Sequence, residues 1–347
     1  MIRSAMLWTC LLPALLAAAP APQLLTWEGR TMGTFYIVKL AGVAQDGKLA
    51  AELRGAVEQR LEELNREMSH YLPESELSRF NSSTSTAPCK VSAPFAHVVR
   101  QALAVCRESG GAFDPTLGAL INLWGFGPAG ATLRVPAGDG IAAAQRACGG
   151  RHLRITDSDE LQKDVPGLQL NLGGVAKGYG ADEAARLLRE RGYTNVFVAV
   201  CGEIVTHGLN PEGRPWQVGI ERPLYDTPHG AALSAIVPLS GRALSTSGDA
   251  HNFFRDEQGK VFAHILDPAT GRPVSNKIAS VTVIASNGLT ADSLTKPLYI
   301  MGLERGLRWI EARPDTAALF ILREDGGRFR LVASSRFPAF QTLEPQP

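Results

Sequence analysis

The stretch from Leu168 to Asp182, LQLNLGGVAKGYGAD, constrains this chain more than any other. An apolar run with one polar interruption enters a Gly-Gly pair, and a basic, Ala-containing segment leaves it. That pattern predicts strand, tight turn and helix. Glycines at such a junction let the backbone approach a ligand closely, and the amides of a first helical turn suit an anionic group. Lys177 stands where a cation can reach phosphate oxygens. The same residues also read as a plain strand-to-helix connection, because a Gly-rich junction alone is a weak signal.

The chain has 347 residues, enough for two or three structural units or for one large domain. A hydrophobic content of 45% with 20% charged residues describes an ordinary globular protein. The net charge of +1 excludes bulk electrostatic attraction to nucleic acid or to an anionic membrane. Any phosphate binding must therefore be local.

Residues 1–21 read as a secretory signal peptide: a short basic start, an apolar core from Ala5 to Leu16, then small residues. The mature chain, 22–347, is then an exported domain. Cys10 lies inside the apolar core after Thr9, which argues against a lipid-modified cysteine. No other run approaches the ~20 apolar residues of a membrane helix, so no stable span is expected in the mature chain. Removing the leader leaves Cys89, Cys106, Cys148 and Cys201. Two disulfides with three possible pairings, or four thiols, are equally compatible with export, and no zinc spacing is present.

In chain order, alternation from Trp27 to Leu40 predicts one strand, with Thr31-Met32-Gly33-Thr34 at its start. Leu49, Leu53, Val57, Leu61, Leu64 and Met68 then recur at helical spacing. Met68 to Asn81 reads as a loop and short turn, and a second helix runs from about Ala96 to Ser109, stopped by Gly110-Gly111. Gly125-x-Gly127-x-x-Gly130 formally matches a dinucleotide fingerprint. It is rejected, because no strand precedes it and no helix follows. Residues 129–165 look least constrained. A helix from Ala181 to Gly192, a buried strand Asn195–Val200 and strands over 217–221 and 232–239 follow. Residues 245–249 open a polar loop, and 261–274 form a strand and sharp turn. A further strand covers 280–285, Thr290 serves as N-cap of a helix carrying Asp292 to Lys296, and two strands close the chain.

Several side chains carry candidate chemistry. Asp114, between Phe113 and Pro115, can accept hydrogen bonds from a ligand or simply cap a turn. His264 flanks a strand end near Asp267, as a catalytic or a structural histidine. Asp292 and Thr295 lie three apart on one helical face and can share an oxygen-loving cation, although an acid in a first turn also compensates the helix dipole.

Taken together, TMGT at 31–34, MSHYLPESELSRFN at 68–81, GAFDPTLGALINLWGFGP at 111–128, LNLGGVAKGYGAD at 170–182, STSGDAHNFF at 245–254, HILDPATGRPV at 264–274 and SVTVIA with TADSL at 280–294 resemble the ApbE family, the FAD:protein FMN transferases. The resemblance covers almost the whole mature chain in order. It implies an α+β layered, T-fold-related architecture, with helices on a mostly antiparallel sheet and FAD in a cleft between two subregions. It also implies a Mg²⁺-dependent, periplasmic enzyme that splits FAD and attaches FMN to a Thr or Ser of an acceptor protein, releasing AMP. By resemblance Met32, Tyr71, Ala112, Phe113, Asp114, Asn171, Lys177 and Leu266 hold FAD. Gly174, Asp292 and Thr295 hold the metal, and His264, Asp267 and Lys296 lie at the reacting phosphate. Several positions depart from the family pattern, among them Cys201 and Glu203, which alter a typical Gly-Gly-Asp turn after the strand Asn195–Val200. Lys296 stands where Thr is usual, and an ammonium cannot ligate a metal. Pro297 follows it and disfavours helical geometry there. Asn171 replaces an Asp. FAD binding without transfer, and hydrolysis of FAD to FMN and AMP, are the alternative functions.

Overall fold

The protein is described by a computed structural model covering residues 23–128 and 134–343. The expected signal peptide, Cys10 within it, and Gly130 of the rejected fingerprint lie outside the described residues.

Eight strands form one sheet, in the order Leu24–Thr31, Thr34–Ala41, Val196–Val200, Glu203–His207, Ala243–Gly248, Ile278–Ala285, Ala317–Arg323 and Phe329–Ala333. Every neighbouring pair is antiparallel. Val196–Val200 and Ile278–Ala285 are buried at every position because both faces of the sheet are covered, which explains the unbroken apolar run of the first. Val196, Val198, Val200, Val281 and Val283 face a helical layer. Phe197, Ala199, Ile284, Leu319 and Ile321 face a second, three-stranded sheet whose strands Trp216–Glu221 and Leu233–Leu239 contribute Trp216, Val218, Ile220 and Val237. The architecture is the expected α+β layering, with a mostly antiparallel sheet at its centre.

The helices are α1 (Gly47–Met68), α2 (Glu76–Ser82), α3 (Ala93–Glu108), α4 (Gly118–Leu123), α5 (Gly138–Arg146), α6 (Ala176–Glu190), α7 (Gly288–Met301) and α8 (Leu303–Glu311), of which α4 and α5 pack in a separate apolar cluster. Asp46 caps α1, accepting from the amides of Lys48 and Leu49 at 2.9 and 3.1 Å. The heptad-like apolar positions of α1 are its buried ones, Leu53, Val57, Leu61, Leu64 and Met68.

Helices α6 and α7 meet backbone to backbone. A Cβ on Gly178 would stand 2.1 Å from the carbonyl oxygen of Gly288, and one on Gly288 would stand 2.3 Å from that of Gly178. At this crossing the helices cap each other. Both carboxylate oxygens of Asp182 on α6 accept from the first amides of α7, Gly288 N at 2.6 Å and Leu289 N at 2.8 Å. Asp292 on α7 returns the contact, accepting from Gly178 N near the start of α6 at 3.1 Å.

Several expectations need correction. Trp27–Leu40 is a hairpin, because Met32 (φ 49°) and Gly33 (φ 73°) both take the left-handed conformation of a two-residue turn. Leu168–Leu172 belongs to no sheet; a single parallel bridge joins Gln169 to Leu117, and side chains satisfy other backbone groups. Asn81 brackets Leu170 through both its amide atoms, at 2.7 and 2.8 Å, and the buried Lys163 donates to Leu168 O at 3.1 Å. Met68–Asn81 includes α2, capped by Ser75. Residues 138–163 carry α5 and two short strands. Ser245–Gly248 is a strand inside the main sheet, not a loop. Asn287, not Thr290, caps α7; its Oδ1 accepts from Thr290 N at 2.8 Å. Helix α7 also runs straight through Pro297. Cys89, Cys106, Cys148 and Cys201 are all free thiols.

The α6–α7 contact generates a direct test. Gly178→Ala must force backbone apart rather than a flexible side chain, so the loss should reach or exceed about 3 kcal/mol, the upper end for overpacking. Chemical denaturation giving a loss below about 1 kcal/mol would contradict this packing.

Candidate functional site

A cavity of about 680 Å³ opens beside the N-terminus of α6. It lies within the size range of small-molecule and cofactor pockets. One wall is the Met32–Thr34 hairpin turn, the end of α1 and the Ser69–Tyr71 loop. The opposite wall is the strand end Thr246–Gly248, residues 251–252 and 264–266, with Leu117 and Phe126. The floor is Asn171 to Lys177, flanked by Glu203 and Lys296.

The Gly173–Gly174 bend is held locally. Asn171 Oδ1 accepts from Gly173 N at 2.9 Å, and Lys177 Nζ donates to Gly173 O at 2.9 Å. A Cβ on Gly174 would lie 2.8 Å from Lys296 Nζ, the mobile end of a flexible side chain. The Lys296 side chain therefore packs directly on the bend. Lys177 Nζ also lies 3.3 Å from Glu203 Oε1 and 4.0 Å from Asp292 Oδ2. Glu203 enters from a tight hairpin turn in which Cys201 (φ 52°) and Gly202 (φ 84°) are both left-handed, and it accepts from Ser245 Oγ.

These groups form one buried cluster of opposed charges. Asp292 is fully buried; its Oδ2 binds Gly178 N, and its Oδ1 has no hydrogen-bond partner. Burial drives the Lys177 ammonium down, but Asp292 and Glu203 outweigh it and hold its pKa above the usual lysine value. Burial, aided by Asp292, pushes Glu203 up to about 7 against the pull of Lys177. Burial also lowers Lys296, with Asp292 resisting. An orphaned carboxylate oxygen in such a place suits a cation.

His264 is the neutral base of the site. Burial, then the charge of Lys296, lowers its pKa to about 3. Its Nδ1 faces the Asn252 carbonyl at 3.3 Å, an acceptor that selects the Nδ1–H tautomer and leaves Nε2 with a free lone pair. Tyr71, 60% exposed, lies 4.2 Å from the His70 ring at the cavity rim, an aromatic surface open to a planar ligand.

The cavity brings together Met32, Tyr71, Phe113, Asp114, Asn171, Lys177, Leu266, Gly174, His264 and Lys296. Asp292 lies immediately beneath Lys177. Counting Asp292, four expected residues are not brought to its surface. Thr295 donates to Asp292 O and pairs with Ser247 Oγ, both at 2.8 Å, so its hydroxyl is committed within the protein. Asp267 caps its own hairpin turn, accepting from Ala269 N at 2.9 Å and Thr270 Oγ1 at 3.2 Å. Ala112 is buried behind Phe113 in sequence. Asp114 lines the cavity, yet its oxygens accept from Thr116 and from Gly150 N, so it also braces the chain, as the turn-capping alternative anticipates. Sequence reasoning did not place Glu203, His229, His251 or Thr246–Gly248 in the site. Only Glu203 carried a signal, as a departure in the turn that follows the apolar strand ending at Val200.

The raised Glu203 pKa has a definite sign. Its folded-state value, about 7, lies above its ordinary 4.5, so the folded protein binds this proton more tightly than the unfolded chain. Its contribution to stability is complete below 4.5 and is lost as pH rises through about 7. Glu203→Gln should therefore lose less thermal stability than the parent between about pH 5 and about pH 8. Parallel melting profiles for the two proteins would contradict this.

With this geometry established, comparison with known proteins is direct. The ApbE family model matches residues 32–320. The FAD:protein FMN transferase of Vibrio cholerae is 39% identical over 340 residues, covering 96% of this chain and 98% of the relative. That of Salmonella typhimurium is 38% identical over 331 residues, covering 94% and 92%. The structure of the flavin transferase ApbE from Vibrio cholerae superposes with a TM-score of 0.81 at 39% identity, over 91% of this chain and 98% of that one. The apo flavinyl transferase ApbE of Pseudomonas stutzeri gives 0.78 at 34% identity, over 90% and 95%. Family model, relatives and structures agree along nearly the whole chain: this protein belongs to the ApbE family.

Proposed function

We propose that the protein moves the FMN half of FAD onto a serine or threonine hydroxyl of an acceptor protein, with release of AMP. One observation carries the reading. On the floor of a cavity of about 680 Å³, the Gly173–Gly174 bend, Lys177 and Lys296 converge, with the buried Asp292 and its unpartnered Oδ1 behind Lys177. That arrangement suits a pyrophosphate, whose transfer chemistry is mostly positioning and charge neutralisation. The names of the relatives agree with it.

In this reading Met32, Phe113, Leu266 and Tyr71 supply apolar and aromatic surface for the rings of FAD, and Asn171 supplies polar contacts. The acceptor oxygen bonds to the flavin-side phosphorus while the bond from that phosphorus to the bridging oxygen breaks. AMP leaves with the bridging oxygen, and the hydroxyl proton passes to His264 Nε2. Asp292 Oδ1 and the carbonyl of Gly174 fit Mg²⁺ by their oxygen chemistry, whereas Thr295, with its hydroxyl committed, does not contribute. Bound there, Mg²⁺ supplies neutralisation of the pyrophosphate charge. Lys296 adds a fixed positive charge beside it. Export to the periplasm belongs to the same reading and rests on the leader-like residues 1–21. A second reading, FAD binding without transfer, is favoured by Lys296 alone, because an internal ammonium already stands against the bend. FAD affinity that survives a chelator, with no transfer in metal, would select it.

The protein incubated with FAD, Mg²⁺ and an acceptor domain should yield flavin fluorescence on the acceptor in a denaturing gel. Absence of that fluorescence with every divalent cation tested would remove the proposal. Lys296→Thr should steepen the Mg²⁺ dependence of the rate, since a hydroxyl replaces the built-in charge. An unchanged metal response would show that Lys296 takes no part in cation balance.

A further inference from the structure

At the rim of the cavity, three side chains from separate segments converge on one point. Glu221 ends the strand Trp216–Glu221, His229 lies in the connection to Leu233–Leu239, and His251 follows Ala243–Gly248. His251 Nε2 lies 3.1 Å from Glu221 Oε2, and His229 Nδ1 lies 3.6 Å from the same oxygen. All three ligand atoms fall within 4.8 Å of one another. The two imidazole rings stand 3.7 Å apart, centroid to centroid, and both line the cavity. The other Glu221 oxygen accepts from Gly230 N at 2.9 Å, which leaves Oε2 aimed at the imidazoles.

We infer that Glu221, His229 and His251 form a second metal site, distinct from the oxygen-lined position at Asp292, for a divalent transition ion such as Zn²⁺. The donor set decides the class of ion. Two imidazole nitrogens and one carboxylate suit zinc and its neighbours, while Mg²⁺ demands oxygen. Tetrahedral ligands about 2.0–2.1 Å from zinc stand roughly 3.3 Å apart, and the separations of 3.1 and 3.6 Å bracket that value. Three protein ligands leave a fourth position open beside the cavity, the arrangement of zinc sites that accept water or substrate.

The site is also pre-organised. Tyr225, from the same connection as His229, donates to Asp249 Oδ2 at 2.6 Å, and Arg323 binds the other Asp249 oxygen at 2.6 Å. The segments carrying His229 and His251 are therefore already tied together without an ion. Asn252 follows His251 directly, and its carbonyl holds both the backbone N of His264, at 3.0 Å, and its Nδ1. An ion on His251 thus steadies the peptide that orients His264.

The test uses untagged, chelator-treated full-length protein without FAD, so its outcome is separate from that of the transfer reaction. Zn²⁺ titration by calorimetry in excess Mg²⁺ should show one saturable site, and Co²⁺ should give the visible absorption of a low-coordinate complex. His229→Ala and His251→Ala should each weaken Zn²⁺ by more than the roughly 10–100-fold that loss of an outer-shell partner costs. Asp292→Asn and Cys201→Ser should leave it unchanged. No saturable Zn²⁺ binding, or equal binding by the doubly substituted histidine variant, would overturn the inference.

Discussion

Helices α6 and α7 depend on each other for their ends. Asp182 closes the start of α7, and Asp292 closes the start of α6 through Gly178 N. Each cap is worth on the order of 1 kcal/mol, but its larger consequence is positional. Because Gly178 and Gly288 touch through backbone, neither helix can slide without breaking both caps. The crossing therefore fixes Lys177, one turn from the Gly173–Gly174 bend, over Asp292 and beside Lys296. Burial pushes Asp182 up to about 6 even though two amides pull it down, a measure of how dry the junction is.

The charges in that junction do not balance one another completely. Lys177 answers Glu203 and Asp292, yet Asp292 Oδ1 remains without a partner in a fully buried position. A buried carboxylate oxygen left unpaired is costly, and a protein built only for stability has cheaper solutions there. The surrounding main sheet supports the same purpose. Its strand Ser245–Gly248 places Ser245 on Glu203 and Ser247 on Thr295, so polar side chains inside the sheet brace the walls of the cavity. The apolar cluster of Leu120, Trp124, Phe126 and Phe254 supports the other wall. A cavity with charges on its floor and aromatic surface at its rim follows from these contacts.

Much of this was legible in the sequence, for identifiable reasons. Leu49 to Met68 repeats at helical spacing because one stripe of α1 is buried. Val196–Val200 is uniformly apolar because both faces of its strand are covered. What misled was chemistry borrowed from side chains. Leu168–Leu172 looks like a strand, yet Asn81 and Lys163 stand in for its neighbours. Ser245–Gly248 looks like a loop because its polar residues are satisfied by Glu203, Thr282 and Thr295, which lie far off in sequence. The motif residues from Met32 to Lys296 were recognisable as a series, and most of them line the cavity. Helical spacing shows that Thr295 shares a face with Asp292, but not that its hydroxyl already bonds Asp292 O and Ser247 Oγ. His229 carries no local signal, and His251, although inside the motif at 245–254, gives none that points to Glu221; only the fold brings the three together.

The central claim is that the α6–α7 junction grips the phosphates of FAD through Lys177. Its most direct test is to titrate Lys177→Met and the parent protein with FAD and with riboflavin, which has the ring but no phosphate. The account predicts that FAD affinity falls by about tenfold or more, as expected for loss of a charge-assisted contact, while riboflavin binding is unchanged. Equal losses for both ligands, or undiminished FAD affinity, would contradict it.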